Sequence, residues 1–225
     1  SYSVTGVQTC ALPICSFSQS CYRFNTYIGM AIILNTLGEE GARHFAILVG
    51  FAIPVINVLA VSTLIWHSGR GVSPGEGVRI TGRALATNPL ILACLAGILY
   101  GRLAGGFPAF IDGTFKLATS VTLPLALLSI GGTLTFDTLR DHLKLSLVAA
   151  MLKLMVFPLV GYGCLKYYGV SGVPFRVGMI FFALPTSTAG YVLSAQLNSS
   201  TALASANILL STVLSFIPLS IVLLL

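Results

Sequence analysis

Charge is what this sequence has least of. Asp, Glu, Lys and Arg make up 8% of its 225 residues, against roughly a quarter in an ordinary soluble domain. So few charges cannot dress a water-exposed surface, and a mean hydropathy of +0.94 agrees. Acids are the scarcer sign, six against twelve basic residues. Glu39, Glu40, Glu76, Asp112, Asp137 and Asp141 all fall between the long apolar runs and are expected in loops. No intramembrane carboxylate relay is visible in that pattern, which leaves proton or sodium coupling open, and no paired acidic clusters are present for metal-assisted prenyl chemistry. The cations are scattered without a basic stripe, which excludes nucleic acid as a partner and suits anionic lipid headgroups. Cysteines 10, 15, 21, 94 and 164 include no C-x-x-C pair and no histidine at metal spacing, so neither a metal site nor a cofactor is expected. His44, His67 and His142 lie in different loops. Gly71-Val72-Ser73-Pro74-Gly75 fits the nucleophile-elbow pattern only formally, because a polar loop stands where a strand and a helix are required. An enzyme is not expected.

Long apolar runs are what the sequence has in abundance. A membrane helix needs about 20 mostly apolar residues, and seven runs qualify: Phe17–Leu37, Phe45–Trp66, Ala84–Leu103, Leu117–Phe136, Leu145–Leu165, Val177–Leu197 and Ala202–Leu225. Lipid forces backbone groups to pair internally, and no strand-length alternation appears, so the fold class expected is an all-α polytopic membrane protein in the cell membrane. The connection 67–83 carries Arg70, Arg79 and Arg83 against Glu76 and is expected on the cytoplasmic side. Alternation then places Arg23, Arg140 and Lys144 with it, and Arg43, Arg102, Lys116, Lys166 and Arg176 opposite. Val4 to Ile14 reads as the translation of a sequencing-library adaptor. Residues 1–14 are therefore set apart from the fold.

An internal repeat is present. Tyr27 and Pro54 are 27 residues apart, as are Tyr191 and Pro218, at a constant offset of 164. The offset crosses an odd number of helix-to-helix steps, so the copies are expected to run in opposite directions, as in inverted repeats.

Helices broken inside a membrane form anion and ion sites, because their ends expose unpaired amides. The sixth run has that signature at Pro185, Thr186, Ser187, Thr188, Gly190 and Tyr191: the proline removes a donor and the hydroxyls flank the gap. A kinked helix with self-satisfied hydroxyls would read the same way. In the repeat partner, Arg23 and Asn25 offer carboxylate partners beside Tyr27. The bland alternative sends Arg23 to the membrane interface. Lys153 lies too deep in the fifth run to snorkel. It is expected to attract an anion, to change protonation during transport, or to tie down broken-helix carbonyls. Pro54, Asn57, Asn88, Pro89 and Pro218 are expected at helix breaks. Gly97, Gly101 and Gly105 give the third run a smooth face compatible with a homodimer.

Arg23-Phe24-Asn25-Thr26-Tyr27-Ile28-Gly29, Ile53-Pro54-Val55-Ile56-Asn57-Val58-Leu59 and Asn88-Pro89-Leu90 together resemble the auxin efflux carrier family. Thr122-Leu123-Pro124 through Gly131, Lys153 with Pro158, and Ala183-Leu184-Pro185-Thr186 before Tyr191 resemble its second half. The resemblance implies a ten-helix carrier of two inverted five-helix repeats, of which this chain holds helices four to ten. Residues 15–66 would close the first repeat, 67–83 form the cytoplasmic loop, and 84–225 form the second repeat. It implies further that the fourth and ninth helices cross at broken points and form the substrate site, around Asn25 and Tyr27 and around Pro185 to Thr188. The cargo implied is a small organic anion, a dicarboxylate such as malate or malonate or an auxin-like weak acid, moved by alternating access in a compact, bacterial-type carrier. A sodium-coupled anion symporter of the bile-acid carrier type and a non-transporting sensor or scaffold remain the alternatives. Direction, proton or sodium coupling and oligomeric state are open at this point.

Overall fold

The computed structural model describes residues 16–67, 75, 78–79, 82–83, 86–87, 89–104, 106–132, 137–191 and 200–224. The adaptor-like residues 1–14, most of the connection 67–83, and Asn88 lie outside them. Every element among the described residues is helical.

Helix α1, residues 16–22, ends where the chain turns polar, and residues 23–25 are not helical. The expected first span is therefore two pieces. Helix α2, Thr26–His67, starts at an Asn25 cap and folds back on itself at Gly38, whose φ of 63° and ψ of −155° leave the helical region. Glycine adopts a positive φ without a Cβ penalty, so one residue suffices for the reversal where a polar loop was expected. Glu39 and Glu40 follow in the first turn of the second arm, where carboxylates favour a helix N-terminus. The arms close tightly. A methyl group on Gly29 would come within 2.5 Å of Phe45 Cζ and 2.7 Å of Leu184 Cδ1. Gly29→Ala is expected to cost about 1–3 kcal/mol through overpacking, read as a lower melting midpoint in detergent.

Two expected breaks are corrected. Pro54 and Asn57 lie in helical backbone, Gly38 being the point at which α2 leaves the helical region. Pro54 leaves only the Gly50 carbonyl without its helical partner, and the rest of the ladder carries the helix past it. Pro89 does not interrupt a helix but opens α3, Pro89–Ala104, in the first turn, where an N–H has no helical acceptor to lose. Helix α4 spans Ala109–Gly132 and has Asp112 in its first turn, ion-paired to Lys116 at 2.8 Å. Asp137 is the first residue of the next helix and Asp141 lies within it, so these acids fall in helices where loops were expected.

Helix α5, Asp137–Met151, runs through a π-helical turn, Leu152–Val156, into α6, Phe157–Tyr167. Pro158 explains the turn. It has no N–H for the Leu154 carbonyl, and the Phe157 N–H reaches back five residues to Leu152 O. Gly169, at φ 66°, closes α6, with Val170 N–H bonded to Leu165 O at 2.9 Å. Helix α7, Gly172–Ala183, ends at an irregular segment, residues 184–188, before a helical turn at 189–191. Helix α8, Thr201–Leu214, is capped by Ser200 and gives way at Ser215 to α9, Phe216–Leu224. Pro218 removes the donor that the Leu214 carbonyl would need, so this expected interruption is present, one turn before the proline.

Helix α8 packs along α5, and α2 along α7. Ile33, Phe45, Ile180 and Leu184 form the centre of the apolar core. The outer face is apolar too: Phe51, Leu159 and Phe216 are each more than two-thirds exposed. Three stretches among the described residues are long and apolar enough to cross a membrane: Ser16–Ala60, His142–Tyr167 and Thr201–Leu224. A straight helix of the first length would measure roughly 65 Å, twice the hydrocarbon thickness. Folded at Gly38, it supplies two crossings. Helices α3 and α4 overlap the third and fourth expected runs. This is an all-α polytopic membrane protein.

Candidate functional site

The two interrupted segments meet. Asn25 N–H donates to Pro185 O at 2.9 Å, joining the break after α1 to the break after α7. Thr186 Oγ1 donates to Ser20 O at 2.8 Å, and Thr186 N–H to Ser211 Oγ at 3.2 Å. Asn207 Nδ2 donates to Ser20 Oγ at 2.7 Å, tying α8 to α1. A chain leaving helical geometry inside an apolar fold strands its backbone groups, and here each break supplies partners to the other.

Asn25 is 1% exposed. Its Oδ1 accepts from Tyr27 N–H at 3.1 Å and Ile28 N–H at 3.2 Å, the N-cap geometry that starts α2. Two backbone donors fix the oxygen toward the helix, so the amide nitrogen must face the other way, and Asn25 Nδ2 has no hydrogen-bond partner among the described residues. A buried donor without an acceptor costs about 1–3 kcal/mol. That orphaned group stands at the crossing, at the start of a helix whose dipole favours negative charge.

Arg23 lies in the same break. Its Nε donates to Gln19 Oε1 at 3.0 Å and its Nη2 to Asn57 Oδ1 at 3.4 Å. The side chain is half-buried, held between α1 and the second arm of α2. Ser187 Oγ accepts from Ala189 N–H at 3.1 Å and starts the helical turn after the second break. Thr186 is 3% exposed and spends its hydroxyl on Ser20, while Ser187 and Thr188 are half-buried. Tyr27 and Tyr191, at 42% and 36% exposure, flank the crossing from outside.

Lys153 is 1% exposed in the π-helical turn. Its ammonium sits 4.7 Å from the Phe157 ring centroid and within electrostatic range of Cys21, two residues before Arg23. Among the described residues no carboxylate pairs with it, and no hydrogen bond runs from it to a carbonyl of either break. Among the described residues neither Arg23 nor Lys153 has an acidic partner.

Gln19, Ser20, Asn207 and Ser211 belong to this network and were not singled out from the sequence. The signal was available. Ser16, Gln19, Ser20 and Arg23 form a polar stripe of helical spacing, and Asn207, Ser211 and Ser215 another, each on an otherwise apolar helix. An apolar cavity of about 440 Å³ lies elsewhere, between Met155, Pro158, Met179 and Pro218; lined that way, it cannot solvate an anion.

Comparison with known proteins bears on this arrangement. Residues 76–223 match the family model described as membrane transport protein. An uncharacterized transporter of Methanothermobacter thermautotrophicus is 31% identical over 149 residues, 66% of this chain and 48% of its own length. A putative malonate transporter of Rhizobium meliloti is 26% identical over 191 residues, 84% of this chain and 59% of its own. An uncharacterized transporter of Methanocaldococcus jannaschii is 23% identical over 198 residues, 87% of this chain and 62% of its own. The chain spans about half to three-fifths of the length of these curated relatives.

Proposed function

This chain belongs to the membrane transport protein family, that of the auxin efflux carriers, and from that premise we propose that it moves small organic anions across the cell membrane by alternating access. The observation that carries the proposal is the crossing itself: a buried amide donor on Asn25 that has no partner among the described residues, two residues from Arg23, whose charge meets no acid among them. Such a site offers donors and positive charge. An organic anion satisfies both, and no bond need be made or broken.

In this reading the cargo lies between the ends of the broken helices, within reach of Asn25, Arg23 and the Ser187 and Thr188 hydroxyls, with Tyr27 and Tyr191 at its rim. Lys153 contributes positive potential from behind. The bundle carrying the crossing moves past a support that includes α3 and α4. The name of the Rhizobium relative, a putative malonate transporter, makes a short dicarboxylate the first cargo to try.

The intact protein, reconstituted in liposomes, should take up radiolabelled malonate, malate or indole-acetate saturably under an imposed proton or sodium gradient. Uptake that requires sodium would move the protein to the bile-acid type of symport. No flux of any of the three with folded protein would sink the carrier reading in favour of a sensor or scaffold.

A further inference from the structure

Arg23 is half-buried, and its guanidinium is held in an unusual way for a cation in an apolar fold. Burying a charge is costly unless it is paired, and the common partner is a carboxylate. Here the partners are two neutral amides, Gln19 Oε1 at 3.0 Å and Asn57 Oδ1 at 3.4 Å, and Gln19 is itself only 3% exposed. Gln19 comes from α1 and Asn57 from the second arm of α2, so the group is clamped from two elements. A third borders it: a methyl group on Gly190, beyond the second break, would lie 3.9 Å from Arg23 Cδ. A guanidinium carries five N–H donors in a fixed plane. Amide oxygens orient that plane and leave the charge whole, and the remaining donors have no hydrogen-bond partner among the described residues.

We propose that Gln19 and Asn57 are positioning residues that aim the Arg23 guanidinium into the crossing without neutralising it, so that the transported anion becomes its counter-ion. This role rests on the anion-carrier reading above. It gives a reason for amides at both positions. A carboxylate at either would hold the guanidinium more firmly, yet would occupy the charge that the cargo needs. It also assigns Asn57 a part in anion affinity, where sequence alone suggested only a helix break.

Asn57→Asp and Gln19→Glu keep size and hydrogen-bonding reach and change only charge. Malonate serves as the probe, its binding read from the rise it produces in the melting midpoint of the purified intact protein, and its uptake read separately in liposomes. Each variant should melt at or above the wild-type midpoint without malonate, bind malonate at least tenfold more weakly, and raise KM for uptake more than it lowers the maximal rate. Asn57→Gln, which restores a neutral amide oxygen, should recover much of the affinity. Wild-type malonate affinity in both acidic variants would overturn the role, as would an equal loss in Asn57→Gln accompanied by a lower midpoint, which is what a purely structural contact gives. A wild-type protein that binds malonate but never moves it would refute the carrier while leaving this role supported by the binding series. One that binds no anion would refute both.

Discussion

Asn25→Asp should fold as the wild-type protein does and carry almost no anion. The substitution separates the two jobs of one side chain. The oxygen that accepts from Tyr27 N–H and Ile28 N–H is kept, and Asp caps helices as well as Asn does, so the start of α2 is preserved. The orphaned Nδ2 is replaced by an oxygen carrying negative charge. A hydrogen bond to a charged group is worth about 1.5–3 kcal/mol, or roughly 10- to 150-fold in affinity; repulsion between carboxylates adds to that. Uptake of radiolabelled malonate should therefore fall by at least tenfold with the melting midpoint within a few degrees of wild type. Asn25→Ala is the contrast. It should lose transport and also about 1 kcal/mol of stability with the cap. Undiminished uptake by Asn25→Asp would remove this residue from the site.

Lys153→Met should move the two observables in opposite directions. The ammonium is buried at 1% exposure beside an aromatic face, and an uncompensated charge in such a place lowers stability. Methionine fills the same volume with a flexible apolar chain. The variant should melt at or above the wild-type temperature, by about 2–4 °C for each kcal/mol recovered in a chain of this size. Anion uptake should drop by an order of magnitude or more, because the positive potential behind the crossing is gone. If Lys153 instead tied the fold together, its loss would depress both readings at once.

Much of the architecture was legible because lipid imposes simple rules on a sequence. Each apolar run had to be a helix, and five of the expected spans start or stop within two residues of observed helix ends. The second break was legible as well, since a proline followed by three hydroxyl residues and a glycine has few other uses inside a membrane. The first was legible only as a polar intrusion, Arg23 to Asn25, in an otherwise apolar run. Pro54 misled. A proline marks where one hydrogen bond is missing, and whether the helix yields there depends on what packs around it. Gly38, with no side chain to signal anything, proved to be the turning point.

By itself, then, the sequence determined the class of protein, the helical spans, and the two places where polar groups interrupt them, because scarcity of charge and the length of apolar runs are local properties that bilayer physics reads directly. Only the tertiary structure decided that the two breaks exchange hydrogen bonds, that Asn25 turns its oxygen to its own helix and its nitrogen away, and that Arg23 is clamped by Gln19 and Asn57. Those are contacts between residues as many as 187 positions apart, as Ser20 and Asn207 are. Pairing at that range follows from how packed helices bring stranded donors to stranded acceptors, which no single stretch of sequence can specify.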